Sequence, residues 1–151
     1  MIKARKKSKA ISLFVFVLAV VLFSSFIVVN AQQNGNISDT PYYYQGNATS
    51  TKTPPRDKQD YTSCYAYNYP TTNMQIDQVN PYGCVVYSGV VVDEQDCTYG
   101  ATWSLPVGTS RCFMNTVKED GLYYCRLRLG FNNTNYKDIH IEWSPDSINC
   151  P

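Results

Sequence analysis

At 151 residues, with 13 Lys plus Arg against 12 Asp plus Glu, one histidine and six cysteines, the chain has room for one small domain whose area burial alone leaves it marginally stable. Five of the basic residues, Lys3, Arg5, Lys6, Lys7 and Lys9, precede an apolar run at residues 11–29. Without that segment eight basic groups face twelve acidic ones, a poor basis for neutralising phosphates, so nucleic acid is excluded as a partner.

The basic flank and apolar run read as a signal peptide over residues 1–31. Val29-Asn30-Ala31 supplies short residues at the positions read by the cleavage machinery, leaving Gln32 as the new N-terminus and no membrane segment after cleavage. The competing reading is an uncleaved anchor, since a nineteen-residue run, apolar but for Ser12, Ser24 and Ser25, suffices for a hydrocarbon core of roughly 30 Å. In both cases the cysteines face the oxidising side. The expected localisation is secreted and extracellular.

Residues 32–63 lack apolar periodicity and are rich in Asn, Thr, Ser, Gln, Pro and Gly. They predict a flexible, disordered arm, because too little apolar surface is available to offset the entropy of ordering it. Its sequons at Asn36 and Asn47, with a third at Asn132, are candidate glycosylation sites in a secreted chain, or else unoccupied. Tyr42-Tyr43-Tyr44 beside Asp39, and Tyr61 beside Asp57 and Asp60, are acidic neighbourhoods suited to tyrosine sulfation. A sulfated ring would suit a basic protein surface.

The domain at residues 64–151 holds all six cysteines, Cys64, Cys84, Cys97, Cys112, Cys125 and Cys150. Their number and setting predict a small all-β disulfide-rich domain with three disulfides, each adding roughly 2–4 kcal/mol. Fifteen pairings are open.

Cys64-Tyr65-Ala66-Tyr67-Asn68-Tyr69-Pro70 alternates with period two and predicts a half-buried strand ended by Pro70. Asn80-Pro81-Tyr82-Gly83 predicts a turn, and residues 84–92 a β-branched run in which Gly89 marks a bulge or a hairpin corner. Asp93, Glu94 and Asp96 predict a surface loop without the spaced ligands of a calcium site. Trp103, within a loop containing Gly100, Pro106 and Gly108, is expected to plug the core.

Residues 111–117 and 122–131 flank Lys118-Glu119-Asp120-Gly121, a hairpin signal. In that register Cys112 faces Leu127, so Cys112 and Cys125 are expected to bond elsewhere. On the second strand Tyr123, Cys125, Leu127, Leu129 and Phe131 share one face. Residues 138–143 alternate again, with Ile139, Ile141 and Trp143 inward.

His140, the only histidine, stands at an outward position with no motif around it, so no catalytic role is assigned and the protein is not expected to be an enzyme. No histidine pair or CxxC supports a metal, and no cofactor is expected. What remains is recognition. Thirteen tyrosines supply rigid amphipathic contact area, and Tyr61, Tyr65, Tyr67 and Tyr69 are the candidate ligand-binding residues.

Residues Asp60-Tyr61-Thr62-Ser63-Cys64-Tyr65, Tyr82-Gly83-Cys84, Gly108-Thr109-Ser110-Arg111-Cys112-Phe113 and Tyr123-Tyr124-Cys125, behind an acidic, Tyr-containing arm, resemble the layout of the evasins, the salivary chemokine-binding proteins of ticks. The resemblance implies an immune-modulating function, a basic chemokine-like ligand, and contacts on Tyr61, Tyr65 and Tyr67. Ser88 and Gly130 stand where that layout has the second members of closely spaced cysteine pairs. Cys84-Val85-Val86-Tyr87-Ser88-Gly89, with Cys150 near the end, is similar to single-domain von Willebrand factor C modules.

The function expected is therefore a secreted glycoprotein module that binds an extracellular protein. The alternative is a secreted protease inhibitor presenting a loop around Arg111.

Overall fold

The structure, a computed structural model, describes residues 37–148 and Cys150. The signal-peptide reading and the Asn36 sequon fall outside the described residues. Among the described residues ten strands form: β1 Thr40–Gly46, β2 Ser50–Lys52, β3 Arg56–Asp57, β4 Cys64–Asn68, β5 Ile76–Tyr87, β6 Val90–Asp96, β7 Trp103–Leu105, β8 Ser110–Phe113, β9 Tyr124–Gly130 and β10 Lys137–Ser144. Among the described residues there is no helix, and the all-β expectation holds.

Every pairing between these strands is antiparallel. One sheet runs β1-β10-β4-β8. The other is built on the β5–β9 pair, with β2 and β3 along the outer side of β9 and β6 and β7 along the outer side of β5. The inward positions of both sheets join in one apolar cluster: Ala66, Phe113, Ile139, Ile141 and Trp143 from the first, Ile76, Val79, Leu105, Leu127 and Leu129 from the second. The two sheets thus close on each other as a sandwich. The period-two readings at β4, β9 and β10 hold, with Cys125, Leu127, Leu129, Phe131, Ile139, Ile141 and Trp143 buried.

The flexible-arm expectation is overturned between Thr40 and Asp57, where β1, β2 and β3 form. Among the described residues the strand-bearing part begins at Thr40, not at Cys64. β1 pairs with β10 along its whole length, Tyr42 and Tyr44 pack on the core, and the Tyr42 hydroxyl meets Thr51 Oγ1 at 2.6 Å. Thr53 is buried; its backbone N–H donates to the Leu127 carbonyl at 2.9 Å, and its hydroxyl accepts from Leu127 N at 3.0 Å. The inner positions of this segment are Tyr and Thr, so a composition that reads as disorder conceals strand alternation.

Four further expectations are corrected. Asn80-Pro81-Tyr82-Gly83 is no turn but the middle of β5, paired residue by residue with β9. The Pro81 carbonyl accepts from Cys97 N at 3.0 Å, so its nitrogen, which has no proton to donate, faces the same side, where β6 has already ended. Asp93, Glu94 and Asp96 lie in β6 rather than a loop. Trp103 is 48% exposed and Tyr123 68% exposed, so neither belongs to the core.

The hairpin at residues 111–131 does not form either, because β8 joins β4 in one sheet and β9 joins β5 in the other. Only its tip is hairpin-like, with Leu122 N donating to Val117 O at 2.9 Å. The tip at Ser88-Gly89 is a true corner: both residues have positive φ, 50° and 78°, between the paired Tyr87 and Val90, as a two-residue primed turn requires.

Of the three disulfides expected, the structure contains one, Cys112–Cys150, and one close pair, Cys64 and Cys125, with Sγ atoms 3.3 Å apart. As expected, Cys112 and Cys125 do not pair with each other.

Candidate functional site

Alternation in the β1-β10-β4-β8 sheet turns Tyr43, His140, Glu142, Tyr65 and Tyr67 away from the core, and pairing places them side by side. Tyr43 faces His140 across β1 and β10, and Glu142 faces Tyr67 across β10 and β4. Tyr69 follows β4, held by its backbone N–H donating to the His140 carbonyl at 3.0 Å. Its ring stacks on the imidazole at 4.0 Å and 4°, while Tyr43 stacks on the imidazole at 4.3 Å and 23°. Tyr67 meets Tyr69 edge-on at 4.8 Å. The result is a row of four rings crossing three neighbouring strands.

His140 is fixed at the centre of this row. Its backbone N–H donates to Thr72 Oγ1 at 2.9 Å, the Thr72 hydroxyl donates back to its carbonyl at 3.0 Å, and its Nδ1 lies 3.5 Å from Thr71 Oγ1. Stacked tyrosines cover both faces of the imidazole, so the row presents ring edges and hydroxyls beside Glu142.

The Tyr69 hydroxyl donates to the Glu142 carboxylate, and this bond, with smaller contributions from burial and neighbouring negative charge, pushes its pKa up to about 12 from 10.0. The folded state therefore holds the phenolic proton more tightly than the unfolded chain. The associated stabilisation is present below pH 10 and is lost as the pH rises toward 12. In an alkaline titration followed by phenolate absorbance, one tyrosine is expected to ionise late. In Glu142→Gln that late phase should move toward the ordinary tyrosine range.

Of the ligand-binding residues expected from sequence, the structure brings Tyr65, Tyr67 and Tyr69 to this face. Tyr61 stands in the connection between β3 and β4, 68% exposed. The sequence reading did not include Tyr43, His140 or Glu142 in the site. The outward position of His140 was visible in the β10 pattern, but its neighbours become apparent only once β1 is recognised as a strand.

The remaining candidates have partners within the chain. Glu94 accepts from both Lys52 and Arg126; burial pushes its carboxyl up, and these two cations outweigh burial and hold it below its usual pKa. Asp96 Oδ1 accepts from Thr98 N and Oγ1. Arg111, the proposed inhibitor residue, lies in β8 opposite Ala66 with its guanidinium 5.2 Å over the Trp103 ring. Asn47 and Asn132 are exposed. No group of three or more His, Cys, Asp or Glu among the described residues is arranged to hold a metal. One concavity, lined by Gly83, Val85, Asp93, Glu94, Gln95 and Leu122, measures about 60 Å³, too small for an organic ligand, and another, of about 680 Å³, lies along Gly89–Glu94 and Arg126.

Fold and face together define an antiparallel β-sandwich with a tyrosine-rich outer sheet. Residues 27–147 match the model of the family described as protein of unknown function (DUF2712), and the chain belongs to that family. No curated protein and no solved structure matches it.

Proposed function

We propose that the protein is a secreted, disulfide-stabilised module that binds an extracellular protein through the tyrosine-rich face of the β1-β10-β4-β8 sheet, and that its ligand is basic. The ring row Tyr43–His140–Tyr69–Tyr67 carries this reading. Rings locked against one another lose little entropy on binding and present edges and hydroxyls, which suits a protein surface. Sugars stack on open ring faces, and those of His140 are covered.

The acidic groups of the same face favour a cationic partner: Glu142 beside Tyr67, and Asp138 paired with Gln45 of β1, whose side-chain amide donates to it at 3.3 Å. The basic, chemokine-like ligand implied by the resemblance to evasins belongs to this reading. So do export through residues 1–31 and glycans at the exposed Asn47 and Asn132.

A panel of basic chemokines, immobilised and probed with the oxidised chain at low and moderate salt, tests the proposal. Binding that weakens with salt and falls about tenfold or more in Tyr43→Ala/Tyr67→Ala is expected. Equal binding by the double variant would remove this face from the function, and no binding across the panel would remove the chemokine-like ligand.

A further inference from the structure

We infer that the chain, in an oxidising compartment, closes a second disulfide between Cys64 and Cys125 across the sandwich, stops at two, and keeps Cys84 and Cys97 as thiols. This goes beyond the binding reading and does not depend on it.

Cys64 begins β4 in one sheet and Cys125 lies in β9 of the other. Both are fully buried in the shared core. Alternation aims each inward, Cys64 with Ala66 and Cys125 with Leu127 and Leu129. Ladders hold both strands: Cys64 pairs with Phe113, and Cys125 pairs with Arg56 on one side and Gly83 on the other. Their Sγ atoms are 3.3 Å apart, so a movement of little more than about 1 Å reaches bonding distance.

The same ladders keep Cys84 and Cys97 apart. Cys84 pairs with Glu94 on β6, whereas Cys97 donates its N–H to the carbonyl of Pro81. That offset of three positions corresponds to roughly 10 Å along the strand, beyond the limit of about 7 Å between Cα atoms that a disulfide spans. An odd offset also turns the two side chains to opposite faces. Cys97 joins the core cluster, with its Sγ close under Gly83 and donating to Asp120 Oδ2 at 3.4 Å. Cys84 is buried on the far face, outside that cluster, near Lys52, Glu94 and Arg126. Burial raises both thiols, Cys84 to about 11, which slows their exchange with an outside disulfide.

The bond forms by exchange with a disulfide oxidant. One cysteine thiolate attacks the oxidant's S–S bond and expels one thiolate. The second then attacks the mixed disulfide and expels the other. Two electrons pass to the oxidant, which leaves as two thiols, and the two cysteine protons pass to solvent or to the departing thiolates. The product ties β4, the strand carrying Tyr65 and Tyr67, directly to the opposite sheet.

The test is to refold the reduced chain with oxidised and reduced glutathione, denature it without reductant, and alkylate it with N-ethylmaleimide. Intact mass is expected to show two alkylated cysteines, and a non-reducing peptide map to contain Cys64 joined to Cys125 and Cys112 joined to Cys150. Cys84→Ser and Cys97→Ser are each expected to retain both joined peptides. Four alkylated cysteines, none, or a peptide joining Cys84 to Cys97 would overturn the inference.

Discussion

Lys58→Met is expected to lower the unfolding free energy by about 3–5 kcal/mol, a large share of the roughly 5–15 kcal/mol that a domain possesses. The Lys58 side chain is 1% exposed and that of Asp146 is 0%. The ammonium donates to Asp146 Oδ1 and the Pro145 carbonyl, both at 2.7 Å, and to the Thr62 carbonyl. Asp146 Oδ2 accepts from Gln59 N at 3.0 Å. One buried ion pair thus fastens the chain after β3 to the chain after β10. Replacing the lysine removes the ammonium from Asp146 and from two carbonyls at a site where both side chains are almost wholly buried. Urea unfolding of Lys58→Met and of Lys58→Met/Asp146→Leu measures the effect. The double variant should recover part of the loss, since the buried carboxylate is removed together with the ammonium that it holds. A loss below about 1 kcal/mol in the single variant would mean that water reaches the pair.

That ion pair marks where the sequence stops being legible. Arg56-Asp57-Lys58 is a charged run within the segment that reads as a flexible arm, and nothing local distinguishes Lys58, whose partner is 88 residues away. The elements that were legible carry their signal within a few residues: Ile139, Ile141 and Trp143 at alternate positions of β10, Cys125, Leu127 and Leu129 in β9, and Ser88-Gly89 at a corner. β1 and β2 were not, because their inner positions are filled by tyrosine and threonine and their pairing strands lie late in the chain. The candidate face divides in the same way. Tyr65, Tyr67 and Tyr69 follow from alternation in one strand, whereas Tyr43 and His140 meet them only through long-range pairing. Pro81 misled for a related reason: proline reads as a strand breaker, yet in β5 its nitrogen faces a position where no donor is needed.

Both tryptophans read as inward from the sequence, but only Trp143 is buried while Trp103 is exposed, and a pair of substitutions measures the difference. Trp143, 1% exposed, sits in β10 between β1 and β4, its ring in the core cluster and 5.5 Å from the Arg56 guanidinium, which also donates to its carbonyl at 2.9 Å. Trp143→Ala removes the largest buried side chain and leaves a cavity that two ladders prevent from collapsing, so a loss of about 3–5 kcal/mol is expected. Trp103 stands in short β7 at the sheet margin and contributes mainly the stack beneath Arg111. An exposed cation–π contact is worth about 0.5–1 kcal/mol, so Trp103→Ala should cost no more than that. Intrinsic fluorescence reports the same contrast: the Trp103→Ala protein, emitting from Trp143 alone, is expected to be blue-shifted relative to wild type and to shift red on unfolding. Equal destabilisation by the two substitutions, or water-like emission from folded Trp103→Ala, would contradict the packing of β10 against the second sheet.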